Sequence, residues 1–197
     1  CIAPQRFLVH EAVADEFTGA VAQAMQGMKV GHGTEEGTMV GPLINARQRD
    51  RVEELVGATV AAGAKLAVGG KRPERKGYFF EPTVVTDVRP GMPLDAEEVF
   101  GPVMPVSSFG SVDEVVERAN AYEAGLAAYL FTSDLNTALV MSERLEAGMV
   151  AINDWMPVTA EAPFGGVKGS GFGRETGQEG LHEYLDQKSV FIGGVQI

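Results

Sequence analysis

The residues best equipped for chemistry stand far apart along this chain. Cys1 is the only cysteine, and a thiol with a lowered pKa is a nucleophile near neutral pH. The blocks that could surround it lie well downstream: EEVFGP at 97–102, Asn153 with Trp155 two residues on, and PFGGVKGSGFGRE at 163–175. Glu98 offers a carboxylate able to accept two hydrogen bonds, and Phe100 a flat apolar face. Each residue has a plainer reading as well. A lone cysteine is more often a small buried apolar group, and an acid beside an aromatic is commonly a solvated charge next to a core ring.

Other chemistries find less support. His10, His32 and His182 are isolated and the cysteine has no neighbour at ligand spacing, so no metal is expected. Gly169-Ser170-Gly171 is preceded by Lys168 where a serine-hydrolase elbow needs glycine. The glycine-rich stretch also fails the dinucleotide spacing, because Arg174 stands where the last glycine of G-x-G-x-x-G belongs.

These residues must be positioned by regular elements, and the periodicity shows which. Residues 6–10 read as a short buried strand, followed by Phe17, Val21, Met25 and Met28 at helical spacing. A second helix over about 47–62 places Val52, Leu55, Val56 and Val60 on one side, with Gly63 ending it. Residues 65–68 and 78–88 look extended, and 103–109 reads as a strand. Ser111 with Glu114 forms a capping-box pattern ahead of another helix. Residues 126–132 are expected to be a strand, Ser133 to cap a helix carrying Leu135 and Leu139, and Gly148 to stop it before a strand over 149–153. Residues 154–175, rich in glycine and proline, should be ordered loop. This alternation predicts an α/β fold with a largely parallel sheet and flanking helices.

Bulk properties narrow the partners. The 197 residues carry 16 basic and 27 acidic side chains, a formal charge of −11, with no basic cluster to meet a nucleic acid backbone. No apolar run is long enough to suggest a membrane span. One cysteine forms no internal disulfide, and a free thiol survives best in a reducing compartment, so the cytoplasm is the expected location, with an organelle matrix equally suitable.

Taken together, CIAPQRFLV at the start, VGPLI at 40–44, EEVFGP, GLAAYLFT at 125–132, the N-x-W pair and PFGGVKGSGFGRE resemble the aldehyde dehydrogenase superfamily over essentially the whole chain. The likeness is greatest to members that oxidise succinate semialdehyde. The resemblance implies that Cys1 is the nucleophile, attacking an aldehyde to give a thiohemiacetal and then a thioester, with NAD or NADP as oxidant. It also implies that Glu98 holds the nicotinamide ribose, that Phe100 packs near the nicotinamide ring, and that Trp155, Val158, Thr159 and Phe164 belong to the aldehyde pocket.

By the same resemblance, residues 1–188 form the catalytic domain and 189–197 a strand that joins a neighbouring subunit, making a homo-oligomer. The coenzyme-binding half, the general base and an oxyanion asparagine would precede the nucleophile, so the 197 residues alone are expected to be inactive. Two rival readings are an amino-terminal-nucleophile hydrolase using Cys1, and a folded module that only binds a partner.

Overall fold

The computed structural model describes residues 1–194 and divides into two compact units, residues 3–118 forming one and residues 1–2 with 119–197 the other. In the first, β1 (Phe7–His10) runs through a single helical turn into α1 (Ala14–Gln26), followed by α2 (Ala46–Ala61), β2 (Lys65–Val68), β3 (Thr83–Thr86), α3 (Pro93–Ala96), β4 (Val103–Phe109) and α4 (Val112–Asn120), within which the division falls. The four strands form one sheet in the order β1-β4-β3-β2. β4 pairs in parallel with both β1 and β3, and only β2 runs antiparallel. That is the largely parallel arrangement expected.

Alternation along β3 builds two cores. Val84 packs with Met104 and Val106 against Phe17, Val21 and Met25 of α1, whereas Val85 joins Val52, Leu55 and Val56 of α2, together with Phe80, Leu94 and Val99. Successive strand side chains point to opposite faces, so one short apolar strand serves both helices. On α2 the buried stripe is Val52, Leu55, Val56 and Thr59. Val60, expected inside, is 36% exposed, because its position falls at the edge of a stripe centred on the i, i+3, i+4, i+7 series. Buried Thr59 accepts a hydrogen bond from the Leu94 backbone N–H at 3.0 Å, which offsets the cost of a hydroxyl in the core.

The second unit contains β5 (Ala124–Gly125), β6 (Ala127–Leu130), α5 (Leu135–Arg144), β7 (Met149–Ile152), β8 (Val167–Lys168) and α6 (Glu179–His182). β6 and β7 pair in parallel, with Tyr129 opposite Ala151, and β5 pairs antiparallel with β8. The cap of α5 is Asp134, whose carboxylate accepts from the Thr137 N–H at 2.7 Å. Ser133, the expected cap, stands one residue too early. Gly148 does not end α5, which closes at Arg144; it lets the chain approach Gly165, whose carbonyl oxygen would lie 1.8 Å from a Cβ at position 148. The span 78–88 is a strand only from 83 to 86.

Residues 189–194 carry no strand and Phe191 is 94% exposed, while 195–197, part of the expected terminal strand, lie outside the described residues. Among the described residues no helix is long and apolar enough to cross a membrane, and no three His, Cys, Asp or Glu side chains gather as metal ligands.

Candidate active site

The turn after α3 shows how the first unit displays Glu98 and Phe100. Asn45 caps α2 by accepting from the Gln48 N–H at 2.9 Å, so Gln48 sits in the first turn of the helix. Its side-chain amide donates to the carbonyls of Val99 at 2.9 Å and Phe100 at 3.1 Å. The Gln5 carboxamide oxygen accepts from the Val99 N–H at 3.2 Å, and Arg51 pairs with Glu97. Val99 is 1% exposed and anchors the turn in the core.

With 97 and 99 pinned, the residues between and after them face solvent. Glu98 is exposed and its carboxylate has no hydrogen bond or ion pair among the described residues, and Phe100 is 58% exposed. Phe100 adopts φ +50°, the left-handed region that costs a non-glycine residue about 1–2 kcal/mol. Strain of this kind persists where surrounding bonds over-determine the backbone, and it concentrates at functional sites. The next residue, Gly101, has room only for hydrogen, since a Cβ there would meet Val52 at 2.6 Å. An unpaired carboxylate and an exposed ring on a braced turn can accept hydrogen bonds from hydroxyl groups and pack against a flat ring.

The second unit holds the thiol. Cys1 is exposed and lines a cleft of about 720 Å³ that also takes in Leu126, Phe164, Phe172, Arg174, Glu175 and Tyr184. Phe164 is placed by a short antiparallel bridge to Glu175, with N–H to carbonyl distances of 2.8 and 2.7 Å. Arg174 ties the loop across itself, donating to the carbonyls of Gly166 at 2.9 Å and Gly173 at 2.7 Å. The cleft thus combines a nucleophile, an apolar wall and, in Glu175, a carboxylate able to carry protons.

The other pocket residues lie in the same unit but outside this lining. Trp155 is 72% exposed and Val158 half-buried. The Thr159 hydroxyl accepts from the Ala162 N–H at 3.3 Å, which turns it toward its own loop. Asn153, at φ +55°, accepts from the Thr132 N–H at 2.9 Å and donates to the Thr132 carbonyl at 2.8 Å. Its amide extends the β6–β7 pairing by one step and launches the loop that carries Trp155.

The structure thus brings Cys1 and Phe164 to one cleft and sets Glu98 and Phe100 together on one turn. Sequence reasoning missed Gln48, Gln5 and Arg51, whose partners lie too far away in the chain for any local pattern to reveal. Glu175 was within reach, as the final acid of the 163–175 block.

Comparison with known proteins places these features. The aldehyde dehydrogenase family model matches residues 1–190. A succinate-semialdehyde dehydrogenase of Paenarthrobacter nicotinovorans is 48% identical over 192 residues, covering 98% of this chain and 43% of the relative. The solved succinate-semialdehyde dehydrogenase of Burkholderia pseudomallei superposes with a TM-score of 0.91 at 46% identity, over 93% of this chain and 38% of that one. A betaine aldehyde dehydrogenase variant of Staphylococcus aureus, solved in complex with NAD+, gives 0.88 at 41% identity over 93% of this chain and 38% of its own. The chain spans about two fifths of the length of the curated relatives it matches, 43% and 38% for the first two. A family match over nearly every residue, with the likeness extending to the fold, shows that this chain belongs to the aldehyde dehydrogenase family.

Proposed function

We propose that these residues form the nucleophile-bearing part of an NAD(P)-dependent aldehyde dehydrogenase that oxidises a small aldehyde, with succinate semialdehyde as the favoured substrate. The observation that carries this reading is the exposed thiol of Cys1 on a cleft walled by Phe164, in a chain that also displays Glu98 and Phe100 on a braced turn. The succinate-semialdehyde preference rests on the relatives, of which the Paenarthrobacter and Burkholderia enzymes carry that name.

In this mechanism the Cys1 thiolate forms a C–S bond to the aldehyde carbon while the carbonyl oxygen takes the negative charge. The thiohemiacetal loses hydride and becomes a thioester, and bound NAD(P) would supply the hydride acceptor. Water then adds to the thioester carbon, the C–S bond breaks, and the carboxylic acid leaves as the thiol is restored. Glu98 would accept hydrogen bonds from the ribose hydroxyls and Phe100 would pack beside the nicotinamide. Phe164, with Trp155 and Val158, would exclude water from the aldehyde, and Thr159 would offer its hydroxyl proton to a distal carboxylate.

The 197 residues acting alone are expected not to turn over, because in the family the general base and most of the coenzyme site belong to the portion that precedes the nucleophile. Residues 189–197 would add as a strand to a sheet of a second copy, because strand addition satisfies backbone donors and acceptors. Subunits of a homo-oligomer in the cytoplasm are the natural setting.

The test mixes this chain with the amino-terminal portion of the Paenarthrobacter enzyme, adds succinate semialdehyde and NAD or NADP, and follows the absorbance of reduced nicotinamide. Turnover that depends on both parts and vanishes with Cys1→Ser supports the reading. Turnover that survives Cys1→Ser removes the thiol from the chemistry, and amide cleavage without cofactor would favour a hydrolase.

A further inference from the structure

One side chain reaches the backbone beside the thiol from within the same unit. The Tyr129 hydroxyl donates a hydrogen bond to the carbonyl of Ile2. Tyr129 stands on β6, held in register against Ala151 of β7, so its ring is carried by a parallel ladder rather than by a loop. Partial burial raises its pKa above that of an ordinary tyrosine, and the phenol therefore keeps its proton throughout the neutral range. Cys1 itself is exposed, and a thiol at the rim of an open cleft has many orientations available unless its backbone is fixed.

We infer that Tyr129 is a positioning residue: by fixing the Ile2 carbonyl to the β6–β7 ladder, its hydroxyl holds Cys1 over the cleft that Phe164 lines. The inference rests on the reading of Cys1 as the nucleophile and goes beyond it by naming what aims the thiol. The held plane is the one joining Ile2 to Ala3, so it anchors the residue to which Cys1 is attached and leaves only the Cys1–Ile2 linkage to swing the thiol. The reacting sulfur then samples fewer positions, which is how orientation contributes to rate.

Because Cys1 is the only cysteine among the 197 residues, a thiol-reactive nitroxide labels a single site, and its electron paramagnetic resonance line shape reports how freely that site moves. Tyr129→Phe removes the hydroxyl and keeps the ring, so the label is expected to tumble at least about threefold faster, a change in the range of side-chain motion that such spectra resolve. Tyr184→Phe is the control. Tyr184 lines the same cleft at 89% exposure and its hydroxyl has no partner among the described residues, so that variant should match the parent.

An unchanged line shape in Tyr129→Phe overturns the inference. So does a fall in melting temperature of more than about 6 °C, which for a chain of this size would make the hydroxyl a general strut rather than a local tether. These outcomes are separate from the test of function: loss of the tether leaves the dehydrogenase reading intact, whereas turnover in Cys1→Ser defeats that reading and leaves the tether standing.

Discussion

The turn at 97–101 and the loop at 163–177 both present candidate site residues on irregular backbone, yet only the loop is also held by a close glycine-to-backbone contact. The turn is gripped by side chains, with Gln48 on two carbonyls, Gln5 on one N–H and Arg51 on Glu97. The loop adds backbone-to-backbone holds, the Phe164 to Glu175 bridge and the close passage of Gly148 past Gly165, to side-chain ties from Arg174, Lys168 and Ser170. The difference teaches what each region tolerates. A side-chain brace can be weakened one bond at a time, whereas a glycine contact admits no larger residue at all.

Replacing Gly148 is the most severe way to break this contrast. Gly148→Ala sets a methyl group 1.8 Å from the Gly165 oxygen, and the backbone displacement needed should cost about 3 kcal/mol, the upper end of overpacking effects. Urea unfolding followed by circular dichroism measures it. A loss below about 1 kcal/mol would show that the loop yields and that the glycine contact is not what holds it.

Gln48→Ala attacks the other brace. It leaves the Val99 and Phe100 carbonyls without their amide donor, and an unsatisfied buried acceptor costs about 1–3 kcal/mol. Because Phe100 is exposed and water can reach its carbonyl, the lower half of that range is expected. Hydrogen exchange should speed up in residues 97–101 and leave 163–177 unaffected. Equal acceleration in both regions would erase the distinction between them.

Phe100→Gly sharpens the contrast in the opposite direction. Glycine adopts φ +50° without penalty, so removing the ring should leave the chain about as stable or up to about 1 kcal/mol more stable. In the complemented enzyme described above, the same change should raise the KM for cofactor. A loss of stability would mean that the ring packs in the fold rather than waiting for a ligand.

The smallest effect concerns pH. Hydrogen bonds from the Thr137 hydroxyl and then its N–H hold the Asp134 carboxyl below its ordinary pKa, and hydrogen bonding to Arg75 does the same for Glu35. A group depressed on folding adds stability above its unfolded pKa and loses it as pH falls through the folded value. Stability should therefore decline on acidification from about pH 4.5 downward, near the unperturbed carboxylate values. Asp134→Asn should flatten part of that decline in melting temperature measured against pH, with no change near neutrality.

Much of the fold was legible because its signals are local. The runs at 65–68 and 103–109 are strands over the residues expected, and the Ser111 cap forms, accepting from the Glu114 N–H at 3.3 Å. Errors arose where two local candidates competed. Asp134 displaced Ser133 because its longer carboxylate reaches both the N–H and the hydroxyl of Thr137, and Thr59 rather than Val60 entered the core because it lies on the centre of the helical stripe, where the Leu94 N–H satisfies its hydroxyl.

By itself the sequence determined the α/β alternation and the family, and singled out the thiol, carboxylate and ring as candidates, since these depend on spacing and side-chain type. Only the tertiary structure decided how they are held. Gln48 finds its carbonyls 51 and 52 residues away and Tyr129 meets Ile2 across 127, and a donor's distant partner is chosen by chain folding, which no periodic pattern records.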